Sequence, residues 1–167
     1  MNDALLSARE ILNDVTPLHT DCGRVCGARC CRSLEGEETG MLLFPGEEAF
    51  YQGRAGWKLR DAPAGKLAVC PGRCERSERP LACRLFPLIP VERDGEIRAA
   101  VDQRAGAVCP LARQGRSAMA LAFAEAVRKA GEILAADAEQ RAFLSALAAE
   151  QRELRELKKR LGGVRRV

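Results

Sequence analysis

The chain has 167 residues, with 27 Lys and Arg against 23 Asp and Glu, one histidine, eight cysteines and 4% aromatic residues. That length suits one domain, or one domain with a helical extension, and so few aromatics leave the core to Leu, Ala, Val and whatever the cysteines bring together. The four-charge basic excess is a weak argument for nucleic acid, the aromatic platforms that stack bases are nearly absent, and no apolar run approaches membrane-spanning length.

The first ten residues are amphipathic and interrupted by charge at Asp3, Arg9 and Glu10. They lack the continuous apolar segment of a secretory signal, so a cytoplasmic location is expected. Leu5, Ala8, Ile11, Leu12 and Val15 recur at helical spacing and predict a short helix over residues 3–15, with Asn2 or Asp3 as its N-cap and Pro17 closing it. His19 follows just ahead of the first cysteine. It is a candidate ligand or proton carrier, although a lone loop histidine is more often neither.

Cys22, Cys26, Cys30 and Cys31 fall within ten residues. The first three are four apart and would align on one face of a helix, yet Gly23 and Gly27 argue for an irregular loop whose N–H groups can face thiolate sulfurs. In extended backbone the neighbours Cys30 and Cys31 would point to opposite sides, so they either share a tight turn around one centre or serve two centres. A disulfide between them would be strained.

The sequence next predicts small elements. Gly40–Phe44 reads as a strand, and Pro45–Tyr51 opens with the proline and acidic residues of a helical first turn. Trp57–Leu59 and Lys66–Val69 flank Pro63 and Gly65 as a hairpin that delivers Cys70 at its end, with Cys74 close behind. Cys83 lies in Arg79-Pro80-Leu81-Ala82-Cys83-Arg84-Leu85-Phe86-Pro87. Leu88–Val91 and Glu96–Val101 flank Asp94-Gly95, a strong hairpin signal that carries the chain toward Cys109. From Ser117 to Ala136 the chain is Ala-rich and helical, with Met119, Leu121, Phe123, Ala126, Val127 and Leu134 as core candidates. Asp137-Ala138-Glu139-Gln140 resembles a capping box opening a second helix. In that helix Phe143, Leu147, Leu154, Leu157 and Leu161 form a seam, and Lys158, Lys159 and Arg160 suit its C-terminus. The seam is expected to pack as a helical pair, with a dimerising coiled coil as the sharper alternative. Residues from Gly162 onward read as a frayed tail.

Eight clustered cysteines admit three chemistries: disulfides, a metal or cluster, or a redox thiol pair. In a reducing compartment a dense cysteine pattern more often means metal. A four-thiolate zinc site and a four-thiolate [4Fe-4S] cluster in its +2 state each carry a net charge of about −2, so two such sites would offset the basic excess. Arg24, Arg29, Arg32, Arg73, Arg76, Arg79 and Arg84 lie among the cysteines, where they can stabilise that charge.

The early cluster ending in Cys-Cys, the later Cys70-x3-Cys74, the Arg79–Pro87 segment and the final Cys109-Pro110 together resemble the zinc- or iron-chelating domain family. This is the CxxCxxCC or YkgJ-like group, to which the flagellin lysine N-methylases are related. The resemblance covers roughly residues 22–110. It implies that Cys22, Cys26, Cys30, Cys31, Cys70, Cys74, Cys83 and Cys109 bind metal. The family's commonest form is C-x2-C-x2-C-C, whereas each gap here holds three residues. The spacing also misses the C-x3-C-x2-C of radical S-adenosylmethionine enzymes, because position 29 is Arg.

Zinc would make closed tetrahedral sites and a structural or interaction module. Iron–sulfur ligation would open redox chemistry or protein modification similar to that of the methylases. No G-x-G-x-x-G follows a strand, no phosphate loop is visible, and His19 is the only histidine available as a general base. The expected fold is a helix-rich α+β domain: a small irregular cysteine-ligated metal core with short hairpins over residues 1–115, and a helical hairpin over residues 116–167. Arg79 and Arg84 are expected beside the cofactor or as backbone anchors. The expected partners are metal ions, with a protein partner or a second copy of the chain at the C-terminal helix; membrane and nucleic acid are not expected.

Overall fold

The computed structural model describes residues 2–32, 40–72 and 74–162. Over them the chain is α+β and helix-rich, with six α-helices and two small antiparallel sheets linked by 3₁₀ turns. Helix α1 (Asp3–Ile11) starts where the Asn2 side chain accepts the Ala4 N–H at 2.8 Å, an N-cap that satisfies one of the helix's orphan donors. It stops short of Val15 because the following carbonyls have another partner: the Arg76 guanidinium donates to Leu12, Asn13 and Val15. Those bonds replace what a further helical turn would supply.

The first cysteine cluster is more regular than its glycines predict. Cys22–Cys26 forms one helical turn, α2, with the Asp21 carboxylate accepting the Gly23 N–H at 3.2 Å. Gly27, at φ +64°, ends it in the left-handed region, where glycine carries no Cβ penalty. The glycines therefore cap and permit a helix here instead of dissolving it.

Strands β1 (Gly40–Leu42), β2 (Lys58–Ala62) and β3 (Gly65–Val69) form a sheet in the order β1-β3-β2, with Gly40 and Lys58 both opposite Val69. The short helix α3 (Leu81–Leu85) leads into the hairpin of β4 (Leu88–Arg93) and β5 (Glu96–Val101). Its turn residues Asp94 and Gly95 both have positive φ, 55° and 78°, the backbone sense that matches the twist of paired strands. Pro90 sits inside β4; a two-stranded sheet has only edge strands, where a missing donor is tolerated.

Helix α4 (Pro110–Gln114) has proline in its first turn, and α5 (Leu121–Ala136) and α6 (Ala138–Gly162) make the helical pair. The start of α5 differs from the prediction: residues 116–118 form a 3₁₀ turn, and Leu121 is 75% exposed instead of core, because it occupies the outward face of the first turn. At α6 the Asp137 carboxylate accepts the Gln140 N–H at 3.0 Å. Gln140 does not reach back as a capping box requires; its side-chain amide donates to the Pro45 carbonyl at 2.8 Å, pinning α6 to the loop after β1.

The main core joins Leu5 of α1 and Leu12 just after it, Phe44, Leu81 and Leu85, and Phe123, Val127 and Leu134 of α5, so it draws on both sides of residue 115. Each such side chain contributes about 1.5–3 kcal/mol on full burial. A second cluster of Leu43, Tyr51, Trp57 and Ala68 underlies the three-stranded sheet, with Cys70 and Cys74 packed against it. The α6 seam is buried only in its first half: Leu147 packs with Ile89 and Val91, whereas Leu157 and Leu161 are exposed. Arg73 and the tail from residue 163 lie outside the described residues. Among the described residues, no helix is long and apolar enough to cross a membrane.

Gly131 is where α5 meets the β4–β5 hairpin most closely. A Cβ there would collide with Pro90 and lie 2.7 Å from the Ile97 Cγ2 atom. Gly131→Ala is expected to destabilise the fold by about 1–3 kcal/mol through overpacking, seen as a lower urea midpoint. An unchanged midpoint would mean that the two elements are not held at this spacing.

Candidate metal centre

All eight cysteines are free thiols, and they arrive from separate elements. Cys22 and Cys26 stand on α2. Cys30 and Cys31 lie on a 3₁₀ turn (Arg29–Cys31) with their sulfurs 4.0 Å apart. Cys70 follows the last residue of β3, Cys74 precedes the 3₁₀ turn Arg76–Glu78, and Cys83 is the middle residue of α3. Cys109 is the N-cap of α4, its N–H donating to the Ala105 carbonyl at 2.8 Å.

Five of these thiols, Cys30, Cys31, Cys70, Cys74 and Cys83, line one cavity of about 70 Å³ together with Arg79, Trp57 and Phe86. Sites for organic ligands generally enclose roughly 300–1,000 Å³, so this space suits an ion or a small inorganic cluster. Cys22, Cys26 and Cys109 do not line it; they act on one another beside Asp21. The structure thus divides the eight thiols five and three. His19 is exposed and makes no hydrogen bond among the described residues. Also among the described residues, no group of three or more His, Cys, Asp or Glu side chains is arranged to clasp an ion as it stands. The five sulfurs form the walls of a cavity and do not converge on a point.

Burial and charge set the acidity of these thiols. Burial raises Cys22, with Asp21, Cys26 and Cys109 adding to the effect. It also raises Cys74, against the pull of Arg79. Cys83 is also pushed well up, by burial and then by the charges of Cys31, Cys74 and Cys70. Cys31 goes the other way: the hydrogen bond from Cys30 holds it down to about 6, helped by Arg79 and opposed by burial. Its neighbour Cys30, the donor of that bond, is correspondingly raised. The adjacent pair gives up one proton readily and keeps the other.

The two arginines expected at the cofactor separate. Arg79 lies on the cavity wall, and its Nε–H is buried without a hydrogen-bond partner, an arrangement that ordinarily costs about 1–3 kcal/mol. Arg84 lies off the cavity wall and binds the backbone. It donates to the carbonyls of Arg9 at 2.9 Å, Ser77 at 2.6 Å and Arg79 at 3.1 Å, and burial together with Arg9 lowers it to about 10. Arg76 is likewise spent on the carbonyls after α1. Arg24, Arg29 and Arg32 are exposed. Asp21, Trp57 and Phe86 escape sequence reasoning as site residues. A helix-capping Asp ahead of Cys22 is a signal that could have found the first of them; nothing local marks the two aromatics.

The chemistry of the donor set fits a thiophilic metal or cluster, since soft thiolates select zinc and iron–sulfur centres. The unpartnered Arg79 N–H fits too, because hydrogen bonds to sulfur are a standard outer-shell feature of such centres. No protein-family model, curated protein or solved structure matches the chain.

In the metal-free reduced chain, Cys31 is expected to alkylate with an apparent pKa of about 6. Removing the S–H donor by Cys30→Ala should move that midpoint upward and slow the reaction at pH 6.5. A profile unaffected by the substitution would show that the two thiols do not share a proton.

Proposed function

We propose that this chain is a cysteine-ligated metal-binding protein whose thiol cavity holds an iron–sulfur cluster or zinc. The observation that carries the reading is the five-thiol cavity itself. Its thiols are drawn from three stretches of chain, it is too small for an organic cofactor, and it has a buried cationic N–H with no protein acceptor on its wall. The cysteine spacing adds the resemblance to the zinc- or iron-chelating, YkgJ-like family, which supports the same chemistry.

The residues that would hold the group are the cavity thiols, with Arg79 positioned to donate to a ligating sulfur or to an inorganic sulfide. An iron–sulfur cluster would supply electron transfer; zinc would supply structural cross-linking. What the chain's own residues do is clearer. Arg84 and Arg76 brace the cysteine-bearing segment 74–85 through six carbonyls, four of them on α1 or just after it. Trp57 and Phe86 give the cavity apolar wall, which strengthens charge interactions beside it.

Anaerobic purification followed by absorption spectroscopy and elemental analysis tests the reading. A brown protein absorbing near 400 nm with about four irons per chain identifies a cluster; a colourless one with stoichiometric zinc identifies closed thiolate sites. A metal-free protein with its cysteines paired would overturn the proposal. Cys83→Ser should lower metal content and, by removing about 2 kcal/mol or more of metal-linked stability, lower the melting temperature by roughly 4–8 °C. Full metal retention with unchanged melting would remove Cys83 from the ligand set.

A further inference from the structure

Five thiols line the cavity, and a tetrahedral zinc ion or a [4Fe-4S] cluster takes four protein sulfurs. One is therefore surplus, and its position distinguishes it. Cys83, in the middle of α3, lines the cavity and feels the charges of Cys31, Cys74 and Cys70, and Cys74 feels those of Cys70 and Cys31. Arg79, whose buried Nε–H lacks a partner, interacts with Cys74 and Cys31 of the same four. Cys30 differs in its exposure and in its outward neighbours. It is the exposed cysteine where the other seven are partly buried. Its neighbours run outward to Cys22 as well as inward to Cys31 and Cys83. It also lines a second, apolar groove beside the cavity, together with Arg32, Leu42 and Phe143.

We infer that Cys31, Cys70, Cys74 and Cys83 are the ligand set of the centre, and that Cys30 stands outside it as an unligated thiol at the mouth between cavity and groove. This rests on the metal-binding reading above. It assigns different tasks to two adjacent residues that a motif treats as one unit. Cys31 is held by the metal; Cys30 remains an unligated thiol facing solvent, beside whatever occupies the groove. The outer trio of Cys22, Cys26 and Cys109 is not required for this centre.

The test loads the full reduced chain with one equivalent of cobalt(II), which takes tetrahedral thiolate sites and reports them by visible absorption. Iodoacetamide is then added, and modified cysteines are mapped by peptide mass spectrometry. Protection of Cys31, Cys70, Cys74 and Cys83 with modification of Cys30 is the expected pattern. Cys30→Ser should bind cobalt as the unsubstituted chain does, whereas Cys31→Ser should bind roughly tenfold more weakly or worse, since even outer-shell changes cost 10–100-fold. Protection of Cys30 together with the four, or equal loss of affinity in Cys30→Ser and Cys31→Ser, would overturn the assignment. So would loss of affinity on replacing Cys22, Cys26 and Cys109 together. If cobalt produces neither absorption nor protection of any thiol, the metal-binding reading itself falls. The Cys30 and trio variants alter side chains outside the core clusters, so their outcome does not hinge on refolding a damaged core.

Discussion

A buried carboxylate joins three of the elements around the thiol site. Glu47, fully buried, is paired with Arg9 of α1 and accepts the Leu81 N–H at the start of α3 at 2.6 Å and the Phe44 N–H at 3.2 Å. It therefore joins the N-terminal helix, the segment after β1 and the helix that carries Cys83. Burial pushes its carboxyl upward, with Leu81 and Arg9 pulling it back. Such a group is expensive to desolvate, and removing one partner of a buried pair typically costs about 3–5 kcal/mol. Arg9 also lies over the Phe50 ring at 4.5 Å, so its own burial is shared between a charge and an aromatic face. The junction fixes the first turn of α3, a helix of only five residues whose Leu81 and Leu85 pack in the core and whose Arg84 binds the Arg9 carbonyl.

The same logic of spent cations explains why the abundance of arginine around the cysteines does not translate into an equally positive site. Arg76 and Arg84 are consumed by main-chain carbonyls left open where helices end, which is architecture. Arg79 is the one on the cavity wall, and it lowers Cys31 and Cys74 against the burial that raises them. A cavity in which burial alone acted would keep every thiol protonated. A single guanidinium and one thiol–thiol hydrogen bond suffice to bring Cys31 near neutrality.

Much of this was legible in the sequence. Turn chemistry located both hairpins, because Asp94-Gly95 and the Pro63–Gly65 stretch demand backbone that few other residues adopt. Periodicity located α1, α5 and α6, and the concentration of thiols pointed to one region. What stayed hidden depended on tertiary partners. The end of α1 is set by Arg76, more than sixty residues away. Gln140 left its expected cap for Pro45, since a loop carbonyl in the fold offered it a bond that the local helix did not require. Leu121 reads as core by type, yet it faces outward. The five-and-three division of the cysteines is invisible because spacing gives order along the chain, and only the docking of β3 and α3 decides which sulfurs meet. The half-buried seam of α6 shows the same limit: its leucines repeat evenly, but the body of the protein ends before the helix does.

That the cavity's walls come from three distant stretches has a kinetic meaning. Cys31 and Cys83 are brought together only when the intervening loop closes, an entropic cost that grows with the logarithm of loop length and that the apolar core and the Glu47 junction bear before any ion arrives. In the unfolded chain the thiols nearest in sequence, Cys22 through Cys31, are the ones an ion meets first, and four of the five cavity thiols are not among the earliest three of that run. On the metal-binding proposal, the order in which the chain assembles would therefore govern which sulfurs an ion finds: loading after folding would select the cavity, whereas loading during synthesis would favour the local cluster.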